Sequence, residues 1–142
     1  MNEEVDPHVE QAARWVRWAS EDLMLARSAH ADPETVARGA CTWAHQCAEK
    51  ALKAMVVAQG IDPPKTHNLL QLEQLVSADL AETLAAVDLE ALTRWSIEGR
   101  YPEDLEEATA ADAAHAIETA TAVLNAVQET LLPPTEASGE DR

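Results

Sequence analysis

The sequence predicts an all-α protein, an up-and-down bundle of four main helices plus a short helix. Two observations carry that expectation. Ala, Leu and Glu dominate while Val, Ile and aromatic residues are sparse, a balance that favours helix over strand. Only 4 Gly and 7 Pro occur in 142 residues, the prolines cluster at boundaries, and no Asn-Gly or Asp-Gly pair signals a hairpin.

The first helix opens at Asp6-Pro7. Asp can accept from free N–H groups as an N-cap, and Pro is at home in the first helical position. Ala12, Trp15, Ala19, Leu23 and Ala26 follow at three- and four-residue steps and make one apolar stripe. Asp32-Pro33 repeats the start signal, so a long second helix is expected to run to Gln59, with Gly60 as its left-handed C-terminal residue. Two apolar stripes share this helix. One holds Val36, Ala40, Trp43, Cys47, Ala51, Ala54 and Ala58; the other holds Cys41, His45, Leu52 and Met55. A helix apolar on two sides is either central in a bundle or part of an oligomer interface.

The prolines of Ile61–His67 dictate a loop. A shorter third helix with Leu69, Leu72 and Val76 comes next, then an ambiguous stretch from Ser77 to Thr83, then a helical stretch over 84–98 with Leu84, Leu92 and Trp95. Gly99 and Pro102 end it, and Glu103, Asp104, Glu106 and Glu107 crowd the start of the last helix, where negative charge suits the dipole. Ile117, Ala120, Leu124, Val127 and Leu131 form that helix's stripe, and Pro133-Pro134 stop it. One helical domain over 1–132 and a disordered acidic tail over 133–142 are expected.

Ten Lys and Arg against 26 Asp and Glu give a formal net charge of −16. That acidity argues against non-specific binding to DNA, RNA or an anionic membrane, which all need a basic face. No apolar run is long enough to span a bilayer, and the acidic MNEEVDPHVE start has no signal-peptide core, so a cytoplasmic location is expected. Cys41 and Cys47 lie six residues apart, about 240° around one helix, so neither a disulfide nor a shared metal is expected. No cofactor motif and no paired Glu-x-x-His occurs, and His8, His30 and His115 are scattered; neither a metal site nor a cofactor is expected.

Three segments, in order, resemble the HEPN domain of prokaryotes. WVRWASEDLMLARSA over 15–29 is similar to the family's Trp-x3-Ala-x2-Asp-Leu-x2-Ala pattern. WAHQCAEKALKAMVVAQGIDPPKTHNLLQL over 43–72 is similar to its His-x-Gln-x-Ala-Glu-Lys-x-Leu-Lys-Ala run, Gly, proline turn and Thr-His-x-Leu. LTRWSIEGRYPED over 92–104 is similar to its helix end closing in Arg-Tyr-Pro. The resemblance spans about 12–130. It implies a four-to-five-helix bundle that commonly dimerises, and either a metal-independent toxin-type RNase or a partner of a small nucleotidyltransferase encoded beside it. The RNases carry Arg, four to six residues, then His on a late helix. Here the His positions after Arg100 hold Leu105, Glu106 and Glu107, and those after Arg94 hold Gly99, Arg100 and Tyr101. Arg38 and His45 have the spacing but sit on the second helix, the wrong element.

Three groups of side chains are candidates for a ligand site. His45, Glu49 and Lys53 recur four apart, as a polar site lining a groove or as a surface pair beside a half-buried His45. Lys65 and His67 precede the third helix, where a cation and an imidazole suit a phosphate; the alternative is a local cap from Thr66 or Asn68. Arg100 and Tyr101 offer charge and stacking to a nucleotide, or a helix-end cap and a turn anchor. Arg100 is also the one catalytic candidate, since it could stabilise a charged phosphorane. The four Trp residues read as core or interface anchors. The expected function is a homodimeric, non-catalytic HEPN module that binds an antitoxin-like nucleotidyltransferase partner or a nucleotide. The alternatives are a toxin-type RNase with a degenerate Arg-x4-6-His motif and a purely structural interaction protein.

Overall fold

The computed structural model of the chain describes residues 6–97, Tyr101 and residues 107–131. Within them lie six helices: α1 (Pro7–Ala31), α2 (Ala37–Ala58), α3 (Leu69–Glu73), α4 (Ala78–Leu84), α5 (Leu89–Thr93) and α6 (Ala110–Leu131). Arg100, Pro102 and the acids Glu103, Asp104 and Glu106 lie outside the described residues, as does the 133–142 segment.

α1 starts where the sequence predicts. The Asp6 carboxylate accepts from the His8 N–H at 2.9 Å, and Pro7 occupies the first helical position. The second Asp-Pro behaves differently. Asp32 accepts from the Glu34 N–H two residues on, and its carbonyl takes the Thr35 N–H. Those bonds close a turn, so α2 begins only at Ala37. Its other end follows the expected form. Gly60 has φ +80°, and the N–H groups of Gly60 and Ile61 return to the carbonyls of Val57 and Val56, the double bond of a Schellman cap.

The stretch read as two helices over 69–98 is three short ones. Ser77 accepts from Leu80 N–H and Asp88 from Ala91 N–H, and each cap starts a helix inside the leucine pattern. Val76 and Trp95 fall beyond the ends of α3 and α5. α6 opens on a reciprocal pair: Thr109 N–H donates to the Asp112 carboxylate at 2.9 Å, and Asp112 N–H donates to the Thr109 hydroxyl at 3.0 Å. The Thr109 amide bond, with Arg94 nearby, lowers the Asp112 pKa.

Asp22 on α1 meets Lys50 on α2, and Trp15 meets Lys53, so positions fall along one helix as they rise along the other: α1 and α2 are antiparallel. α1 and α6 are antiparallel by the same test, since Arg27 reaches Thr121 while Ala12 lines a cavity with Gln128. α3 and α5 pack on α2 from another side, and α4 and α5 pack on α6. α2 is therefore the central helix. Ala40, Cys41, Ala44, Cys47, Ala48, Ala51, Leu52 and Ala54 are all fully buried. The small side chains permit close approach of α1 and α6, and the leucines of the short helices close the remaining side. Val36 and Trp43 leave the expected stripe and face outward.

Candidate functional site

The polar heart of the molecule is built on the central turns of α2. His45 is fully buried, and Glu49 and Lys53 are 5% and 7% exposed. The surface-pair reading of these residues is thus corrected: burial of α2 on every side takes the row out of solvent. Lys53 Nζ donates to Glu49 Oε2 at 2.9 Å and lies 6.0 Å from the centre of the Trp15 ring on α1. The loop after α2 delivers His67, whose Nδ1–H donates to both Glu49 oxygens at 3.1 and 3.2 Å. His45 Nε2 lies 2.9 Å from the backbone oxygen of His67; a carbonyl only accepts, so that nitrogen carries the proton. His45 Nδ1 faces Glu49 Oε1 at 3.9 Å. One carboxylate therefore accepts from an ammonium and from the His67 imidazole, and His45 beside it holds the His67 backbone, so the cluster ties the proline loop to the central helix.

The other candidates separate from it. Lys65 is exposed and makes no ion pair among the described residues. The helix start beside it is closed locally: Asn68 accepts from Leu70 N–H, and Thr66 accepts from Asn68 N–H. Tyr101 is 70% exposed. Arg100 lies outside the described residues. The structure thus brings together His45, Lys53 and His67, and leaves Lys65 and Tyr101 apart from them. Arg38 is exposed while His45 is buried, so the spaced pair on α2 does not form one surface site.

Sequence reasoning missed Asp22. It lies on the buried side of α1 with Ala19, Leu23 and Ala26, and it holds Lys50 in a tight ion pair. The apolar neighbours at three- and four-residue spacing were the signal for its inward direction. Both α2 lysines are consequently bonded to carboxylates, Lys50 to Asp22 and Lys53 to Glu49.

The two thiols are passive. Burial, helped by the Asp112 charge, pushes Cys41 up to about 11; burial, helped by Asp22, pushes Cys47 up to about 12. Neither thiol should react with a disulfide reagent at pH 8 in the folded protein, and both should react once denaturant is added; a thiol titration of the native chain checks this.

A helical bundle whose polar residues turn inward onto one carboxylate, and which has no cluster of three metal-ligating side chains among the described residues, is the class that fold and site define. The HEPN domain family model matches residues 12–130. The chain belongs to the HEPN domain family. The structure is similar to ST0689, an archaeal HEPN homologue, with 27% identity, a TM-score of 0.65 and coverage of 84% of this chain and 97% of that one. It is also similar to TT1696 from Thermus thermophilus, with 27% identity, a TM-score of 0.67 and the same coverage. No curated protein matches the sequence. No described helix is long and apolar enough to cross a membrane.

Proposed function

We propose that this HEPN domain acts by binding and not by turnover, as a cytoplasmic homodimer that works with a nucleotidyltransferase-type, antitoxin-like partner or a nucleotide. One observation carries the reading. The imidazoles nearest to a catalytic role are occupied in holding the fold: His67 bonds Glu49, and His45 bonds the His67 backbone. Metal-free RNA cleavage needs a group to take the 2′-hydroxyl proton and a cation beside the phosphorane. Leu105, Glu106 and Glu107 stand where RNases of the family place their His, and carboxylates there repel phosphate.

The experiment is an RNA-cleavage assay at low salt without added metal, with Arg100→Ala beside the parent protein. Neither protein should cleave above the buffer rate. Cleavage by the parent that disappears in Arg100→Ala would reinstate the RNase reading.

A further inference from the structure

Where the start of α1 meets the last residues of α2 and α6, the bundle leaves a cavity of about 260 Å³. Val9, Ala12, Ala13 and Val16 wall it from α1, Ala58 from α2 and Leu131 from α6. Val9 is 55% exposed, so apolar surface stays open there. Arg17 stands among these side chains and makes no ion pair or hydrogen bond among the described residues. Leu131 is also the last described residue, and 132–142 follow it. The chain thus runs on from the wall of the cavity itself.

We propose that this cavity is a socket for the chain's own C-terminal segment, with Leu132 and Pro133 seated in it and Glu136 beside Arg17. Gln128 also lines the cavity, and Leu131 and Leu132 stand three and four residues beyond it. That spacing places side chains on one side of a helix, so Leu132 belongs to the side that Leu131 already walls. Pro133-Pro134 stop the helix there, and their fixed φ angles lower the entropy lost when the segment is seated. The space suffices: an apolar cavity of ~150 Å³ takes a benzene, so this larger one admits a Leu side chain and a proline ring. Charge agrees, because beyond Pro134 the segment carries Glu136, Glu140 and Asp141 against Arg142. Glu136 can come to the Arg17 guanidinium, since the chain from Leu131 to Glu136 reaches up to ~17 Å. Residues 1–5 are further off: Asp6 and Pro7, fixed by the cap of α1, separate Val5 from Val9, whereas Leu132 adjoins Leu131 directly. While seated, the segment closes the cavity to other apolar groups. The proposal confines the disorder expected of the tail to residues after Glu136, and it stands apart from the binding reading above.

Amide order parameters from nuclear magnetic relaxation of the full chain test this. Leu132, Thr135 and Glu136 should be as rigid as the helices, about 0.85, where a free tail stays below about 0.6. Ala13→Phe, at an exposed residue of the wall, should fill the socket and drop all three below about 0.6, while circular dichroism verifies that the variant keeps its fold. Arg17→Glu should loosen Thr135 and Glu136 by repulsion. Leu132→Asp should open the cavity: fluorescence of the dye anilinonaphthalene sulfonate should rise about fivefold over the parent chain, and adding Ala13→Phe should abolish the rise. The proposal is overturned if these amides are mobile in the parent chain, if Ala13→Phe leaves them rigid, if Arg17→Glu changes neither Thr135 nor Glu136, or if the parent binds the dye as strongly as Leu132→Asp. Rigid amides over 3–5 beside a mobile Leu132 would give the cavity to the N-terminal segment, and order that is lost on dilution would give it to the tail of a second copy; either result also overturns the proposal.

Discussion

Glu49→Ala should destabilise the domain by about 3–5 kcal/mol, the cost of removing one partner from a buried ion pair. The carboxylate is 5% exposed and receives Lys53 at 2.9 Å and His67 at 3.1 Å. Without it, the Lys53 ammonium keeps, among the described residues, only the Trp15 ring 6.0 Å away, and the His67 Nδ1–H loses its bonds to Glu49. A loss of that size lowers the melting temperature of a chain this long by roughly 10 °C or more. Glu49→Leu combined with Lys53→Met should recover most of it, because removing both charges also removes the desolvation cost. Denaturant unfolding of the single and double variants measures the coupling directly. A loss below about 1 kcal/mol in the single variant would show that water reaches the pair and that it behaves as a surface contact.

The same cluster shows what the sequence could and could not convey. A row of His45, Glu49 and Lys53 at four-residue steps reads identically on an exposed helix and on a buried one. What buries it is that α1, α3, α5 and α6 all pack on α2, a fact set by distant parts of the chain. The two-sided apolar pattern of α2 does indicate a central position, but hydrophobicity alone places Trp43 and Val36 inward, and it is a tendency and not a rule. The long helices were legible because their ends carry strong chemistry, Asp6-Pro7 at one and Gly60 at another. The break-up of 69–93 was less so. Its leucines recur almost evenly, and only the caps Ser77 and Asp88 divide them. Asp32-Pro33 misled for a local reason: the Asp32 carbonyl bonds Thr35 N–H three residues on and closes a turn, whereas the Asp6 carbonyl also bonds Glu10 N–H four residues on and carries a helix. Motif resemblance located the Glu49–His67 cluster through the His-x-Gln-x-Ala-Glu-Lys run and the Thr-His pair, yet the hydrogen bonds that join them span a loop and are visible only in three dimensions.

Leu52→Ala should cost about 2–5 kcal/mol, since the side chain is fully buried and the rigid helices around it cannot close the cavity. The variant also separates the two readings of a helix apolar on both sides. If α2 is satisfied within its own chain, as its packing against four other helices indicates, the loss in unfolding free energy is the same at every protein concentration. Were the Leu52 face part of a subunit contact, the variant would instead lower the apparent melting temperature most in dilute samples, where mass action favours the monomer. Trp43→Ala provides the contrast. The ring is 38% exposed, so its removal should cost less than Leu52→Ala. Measured together, the two variants separate the inward side chains of α2, which hold the fold, from its outward indole.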